Sequence, residues 1–198
     1  MGGVYITGFA PFLDAPHNPS AAMLSLLPAQ LGGLRLSTRV LPVDGAAIGP
    51  ALAALWQERP EVVIHTGVAV DRAVVSLESQ AINRLDYRIP DNAGVVERGE
   101  ISPTGPAQRS SRLPEAQILR AWRSAQIPGA RSDSAGTFLC NQTYYLSLGG
   151  LPQHVPCGFL HLPPDEVLGS ISGRPGLPLV VLAEAVLLAA LATLEARR

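Results

Sequence analysis

The 198-residue chain contains no lysine; all 15 basic residues are arginines. That absence removes Schiff-base chemistry, Ser–Lys dyads and a phosphate-loop lysine from consideration. Charge of either sign is also scarce in the balance, with 15 basic against 16 acidic residues and a formal net charge of −1. Nothing electrostatic therefore favours nucleic acid or an acidic membrane as a partner. The 2 cysteines, Cys140 and Cys157, are too few for a disulfide framework. The opening "GGVYITGF" reads as a buried strand, not as a leader. The expected compartment is the reducing cytoplasm, where a thiol stays free. The longest apolar run, "LVVLAEAVLLAALATL" at residues 179–194, falls short of the roughly 20 residues a spanning helix needs and is interrupted by Glu184. A buried C-terminal helix ending at Arg197 and Arg198, near the negative end of its dipole, accounts for it better.

What is present is a globular composition, 47% apolar and 16% charged, of a size suited to one domain over residues 1–198. Residues 4–7, 34–43, 61–67 and 155–162 are β-branched or alternating runs bounded by Gly or Pro and predict strands; 73–82 is a further candidate. Helices are predicted at 19–30, 46–58, 114–125, 141–148 and 179–196. Asn18 followed by Pro19 is a strong helix start, because Asn caps and Pro suits the first helical position. This βαβ rhythm predicts an α/β fold with a mixed or parallel sheet covered on both faces. Three long irregular segments, 8–18, 83–112 and 163–178, are of the kind that form sites. The last lacks an apolar anchor before Ile171 and is expected to be mobile.

Chemistry centres on "SAGTFLCNQTYY", residues 134–145, where Cys140 stands at a predicted helix start. Unpaired N–H groups and the helix dipole favour a thiolate there, whereas a buried cysteine elsewhere is often apolar filler. Cys157, in mid-strand, reads as packing. His161 closes the strand "CGFLH", at the kind of carboxyl end where α/β ligand sites gather. His65 is also near a strand end, and a structural, hydrogen-bonded role stays open for either. Glu78 interrupts an alternating apolar run, so it lies on a solvated face or is held inside by a partner. Turned inward, it would orient a histidine and complete a thiol, base and carboxylate set. Arg88 lies in a charged loop whose "PDNAG" is good turn chemistry; brought to a cleft, it could fix a carbonyl or an oxyanion. Of only 4 phenylalanines, Phe9 and Phe12 fall in the first loop and Phe138 just before Cys140.

Four segments in order, "TGFAPF…NPS", "AINRLDYRIPDNAG", "SAGTFLCN" and "GFLHLP", resemble the cytosolic cysteine-type pyroglutamyl peptidases, or pyrrolidone-carboxylate peptidases. The resemblance implies a three-layer α/β/α sandwich and a homo-oligomer, dimer or tetramer. It implies cleavage after an N-terminal pyroglutamyl residue, without metal or cofactor. The family's cysteine, histidine and glutamate fall on Cys140, His161 and Glu78, its pocket aromatics on Phe9, Phe12 and Phe138, and its loop arginine on Arg88. The chain departs from the usual pattern in three places. Leu13 and Asp14 replace a Gly-Gly pair, "GVAVDR" puts Val68 where glutamine is common, and Ser79 follows Glu78 in place of arginine. These departures keep open a weakly active or non-catalytic protein that binds cyclic amides or peptide N-termini. A nucleoside-phosphorylase-like enzyme is a further alternative, although no residue cluster suggests a phosphate site.

Overall fold

A computed structural model describes residues 2–13 and 15–197; Asp14 and Arg198, singled out above, lie outside the described residues. The chain opens with β1 (Val4–Phe9), α1 (Pro19–Ala22), a single 3-10 turn (Met23–Leu26), β2 (Gln30–Leu31), β3 (Leu34–Leu41) and α2 (Gly45–Gln57). There follow β4 (Val62–Val68), β5 (Val75–Glu78), β6 (Gln80–Ile82), β7 (Leu85–Asp86), β8 (Arg98–Gly99) and β9 (Gln108–Ser110). The remainder is α3 (Glu115–Ser124), β10 (Gly129–Ser132), α4 (Leu139–Gly150), β11 (Cys157–Leu162), α5 (Glu166–Ser172) and α6 (Leu179–Glu195). Seven strands form the main sheet in the order β10-β5-β11-β4-β1-β3-β2. Its pairings are parallel except β11 with β5 and β2 with β3. The fold is the mixed, largely parallel α/β/α sandwich anticipated from the sequence.

Strand alternation assigns the two faces. Val4, Ile6, Val62, Ile64, Leu160 and Leu162 join one apolar cluster with Trp122 of α3 and the apolar side of α6. Tyr5, Phe9, Val63, Cys157 and Phe159 join the other, with Ile48 and Leu52 of α2 and Leu139, Tyr144 and Leu148 of α4. Each fully buried Val, Leu, Ile or Phe contributes about 1.5–3 kcal/mol, so the two clusters fix the register of the layers. A period of 2 then puts Gly67, His161 and Glu78 on the face that α4 covers, because each is an even number of residues from a neighbour on that face or an odd number from one on the other. This consequence of the pleat positions the site.

The predicted elements differ from the observed ones for identifiable reasons. The helix expected at 19–30 ends early: α1 passes into the 3-10 turn, and Leu27 is extended at φ −79°, ψ 141° because Pro28 follows it. The apolar run 73–82 is two strands, β5 and β6, parted at Ser79, whose hydroxyl donates to Asp133 at 2.8 Å. β10, sequence "GARS", has no apolar signature and forms as an exposed edge strand paired to β5. The segment 163–178, expected to be mobile, contains α5. Asp165 caps that helix by accepting from Leu168 N at 2.8 Å, and Gly173 closes it in the left-handed region at φ 66°.

His65 illustrates the structural reading of a strand-end histidine. Fully buried, its ring nitrogens lie 2.8 Å from Thr7 Oγ1 and 2.8 Å from Ser147 Oγ, joining β1, β4 and α4. Burial pushes its pKa from the ordinary 6.5 down to about 3. An imidazole held neutral in the fold binds a proton more readily once unfolded. Its stabilising contribution is therefore complete above pH 6.5 and is lost as pH falls towards 3. The melting temperature should decline between pH 7 and 4.5, and His65→Gln should decline less steeply; an equal slope would remove His65 as a cause.

Candidate active site

α4 begins at Leu139, with Phe138 at its N-cap in an extended conformation and no side chain capping the first turn. The first-turn N–H groups next to Cys140 are thus left for a ligand. Asn141 fixes this helix start to the end of β6 and the turn that follows it. Its Oδ1 accepts from Ile82 N at 2.9 Å, and its Nδ2 donates to Ile82 O at 2.9 Å and Arg84 O at 3.0 Å. Gln142 adds a second tether, accepting from Tyr87 Oη at 2.6 Å and donating to Gly45 O at 3.1 Å.

The Cys140 sulfur lies directly over Gly67: a Cβ at that position would come within 2.7 Å of Sγ and 3.0 Å of the Phe159 ring. Only glycine leaves room for the thiol. Gly67 is in register with His161 across the β4–β11 ladder, and both face α4. His161 Nδ1 donates to Glu78 Oε1 at 2.7 Å, and the imidazole packs on Phe159 with ring centroids 4.9 Å apart. Glu78 is fully buried, which decides against the solvated face that its alternating run also allowed. Its charge is balanced by Arg72, whose Nη1 stands 2.7 Å from the same Oε1.

Beside the sulfur is a cavity of about 240 Å³ lined by Phe9, Phe12, Asn18, Val43, Val68, Val70, Phe138, Leu139 and Cys140. Phe138 lies 5.6 Å from Phe12 and 4.4 Å from Tyr87, centroid to centroid, forming an aromatic wall. The first loop is held at both ends. Asn18 Nδ2 donates to Ala10 O at 3.1 Å, while Asn92 accepts from Leu13 N at 3.0 Å and donates to Pro11 O at 2.9 Å. A larger cavity, about 370 Å³, opens at the other end of the sheet around Trp56, His154 and Arg197, with neither cysteine in its lining.

The residues singled out from the sequence thus fall into two groups. Cys140, His161, Glu78, Phe9, Phe12, Phe138 and Val68 converge around the sulfur and the cavity beside it. Arg88 does not; it is exposed in the loop after β7 and is absent from the cavity lining. The arginine at the site is Arg72, which the sequence offered only as the end of "GVAVDR". Gly67 and Phe159 were equally overlooked, although Gly67 ends an apolar strand and Phe159 stands two residues before His161. Cys157 is buried in the core cluster, as packing predicts.

Electrostatics revise one expectation. The helix start favours a thiolate, but burial dominates and pushes the Cys140 thiol up to about 12, with the Glu78 carboxylate adding to the rise. Burial lowers the His161 pKa, against the opposing pull of Glu78. Both shifts favour the uncharged forms, the thiol and the neutral imidazole.

Sequences and solved structures of other proteins resemble this chain over nearly its whole length. Residues 3–196 match the profile of the pyroglutamyl peptidase family. The chain belongs to that family. It is therefore similar to cysteine-type peptidases along essentially its whole length. The pyrrolidone-carboxylate peptidase of Deinococcus radiodurans is 43% identical over 188 residues, covering 90% of this chain and 86% of that protein. The crystal structure of the Thermus thermophilus pyrrolidone carboxyl peptidase superposes with a TM-score of 0.93 at 51% identity, covering 95% of this chain and 98% of that one. Pyroglutamyl peptidase I of Bacillus amyloliquefaciens, at 29% identity, still gives 0.92 over 98% of this chain and 97% of its own.

Alkylation of Cys140 by iodoacetamide should accelerate steadily above neutral pH, without a plateau of fast labelling between pH 5 and 7. Such a plateau would mean a preformed thiolate–imidazolium pair.

Proposed function

We propose that this enzyme removes N-terminal pyroglutamate from peptides, with Cys140 as nucleophile, His161 as general base and acid, and Glu78 orienting the imidazole. The observation that carries the assignment is the register of Gly67 with His161 beneath the Cys140 sulfur. The pyroglutamyl ring is a neutral five-membered lactam with two flat faces, and an aromatic wall of Phe12 and Phe138 in a small apolar cavity suits it.

The reaction follows from the atoms at hand. As Sγ attacks the carbonyl that joins pyroglutamate to the next residue, His161 takes the thiol proton, and the S–C bond forms with little standing thiolate. Backbone N–H groups at the α4 start receive the developing oxyanion. The C–N bond then breaks, the leaving amine takes the proton from His161, and a pyroglutamyl thioester remains. Water gives a proton to His161 and its oxygen to the acyl carbon; the C–S bond breaks, pyroglutamate departs, and Cys140 recovers its proton. Glu78 keeps Nδ1 occupied, so Nε2 is the nitrogen available for these transfers.

Two further readings belong to this proposal. Both cysteines are free, which suits the reducing cytoplasm, and among the described residues no helix is long and apolar enough to cross a membrane. Exposed apolar side chains at Val167, Ile171 and Val180 support self-association into a dimer or tetramer, to be measured by light scattering.

A fluorogenic pyroglutamyl amide tests the activity. Cys140→Ser and His161→Ala should each reduce turnover by about a thousandfold or more, and Glu78→Gln by a smaller factor. Full activity in Cys140→Ser would exclude covalent catalysis here. Val68 gives the cavity an apolar wall where a glutamine could reach the lactam. Val68→Gln should lower KM if that contact is worth a typical hydrogen bond, about 0.5–1.5 kcal/mol; an unchanged KM would show the apolar wall to be sufficient.

A further inference from the structure

Arg72 has no place in the chemistry described above, yet it touches both halves of the site. It leaves the main sheet after β4, and its two terminal nitrogens diverge. Nη1 stands 2.7 Å from Glu78 Oε1, the oxygen that also receives His161 Nδ1–H. Nη2 donates to Ser134 O at 2.9 Å, at the start of the segment that leads into Cys140. Glu78 Oε2 is buried without a hydrogen-bond partner among the described residues, so the carboxylate is held through one shared oxygen. The Arg72–Glu78 contact is close, but its N–H is not aligned for a hydrogen bond, so charge rather than direction is its content. The Arg72 side chain is about one quarter exposed and Glu78 not at all, which makes the arginine the link between a buried carboxylate and solvent.

We propose that Arg72 is a positioning residue that sets the proton affinity of His161 through Glu78 and, through Ser134, holds the Cys140 segment against the same carboxylate. The proposal rests on the catalytic assignment above and deepens it. The charged and titratable groups facing the His161 imidazole are Glu78 on β5, Arg72 in the connection before it, and Cys140 on α4. A lone buried carboxylate would draw a proton onto the imidazole and hold it there. With the guanidinium sharing its oxygen, Glu78 still orients the ring but attracts that proton less. The directions at the site agree: Arg72 lowers the proton affinity of both His161 and Cys140. Removing the cation should therefore leave less free base at mildly acidic pH and a weaker acid at sulfur.

The test compares wild type, R72K, R72M and R72Q, with E78Q and E78Q/R72M as a cycle, after thermal melts confirm folding. R72M should lower kcat by about tenfold or more with KM changed by less than about threefold, and should move the acid limb of kcat/KM to higher pH. R72K, which keeps the charge without the planar fork, should keep that limb near the wild-type position. R72Q is a second neutral variant should R72M not fold. In the E78Q background, R72M should move the acid limb no further, because the carboxylate through which it acts on His161 is gone. An unmoved acid limb in the neutral variants, or a further shift of that limb when R72M is added to E78Q, would overturn the proposal. Cys140 alkylation against pH provides a reading that does not depend on peptide cleavage: slower labelling of R72M supports the role of Arg72 even if wild type cleaves no pyroglutamyl amide, an outcome that would count against the substrate assignment alone.

Discussion

Burying the Glu78 carboxylate is the constraint around which this molecule is arranged. An ionised group removed from water costs several kcal/mol unless other groups replace its hydration. Here the replacements come from separate parts of the chain. His161 reaches it from the neighbouring antiparallel strand, Arg72 from the connection that precedes its own strand. Because β11 inserts between β4 and β5, the imidazole has the carboxylate on one side and Gly67, with the sulfur above it, on the other. A sheet with β4 and β5 as neighbours would separate these groups. The strand order is thus part of the catalytic geometry.

Hydrogen bonds from side-chain amides and from the Asp91 carboxylate position the rest. The connections around the site carry a large ordering entropy, and side-chain hydrogen bonds offset it within and between them. Asn92 grips Leu13 and Pro11, Asn18 grips Ala10, and Asp91 accepts from Gly45, Ala93 and Val95. The result is a cavity whose walls come from loops but whose floor belongs to β1, β4 and α4. Its aromatic side chains are therefore fixed by the same bonds that hold the backbone, and a flat, neutral ring meets a surface that needs little rearrangement.

Much of this was readable from the chain. Apolar alternation located the main strands and put His161 at the carboxyl end of one of them. The Asn-Pro start of α1 and the small-residue approach to α4 were equally plain. Glu78 was ambiguous because alternation records which residues are apolar, not which polar residue faces inward. Arg72 was invisible for a related reason: its partner is six residues away in sequence but belongs to a strand whose neighbour comes from the far end of the chain. Arg88 could not be placed from its charge-rich loop, because only tertiary packing separates an arginine at a cleft from one in water. The edge strand β10 carries no apolar pattern; it is held by pairing with β5, by the close approach of Gly129 to Trp122 and by the Arg131–Glu115 ion pair with α3.

The protonation states connect these observations to the choice of nucleophile. The largely apolar surroundings of the sulfur oppose separated charge on sulfur and imidazole. Cys140 and His161 respond in opposite directions to that single cause, one raised and the other lowered. In the proposed reaction, charge develops as the substrate carbonyl arrives, when the N–H groups of the α4 start have an oxyanion to stabilise and the sulfur is passing its proton to Nε2. A thiol suits this arrangement better than a hydroxyl would, because it gives up a proton at lower cost in surroundings that resist ionisation. Glycine at position 67 completes the logic: the larger sulfur fits between α4 and the sheet only because no side chain rises beneath it.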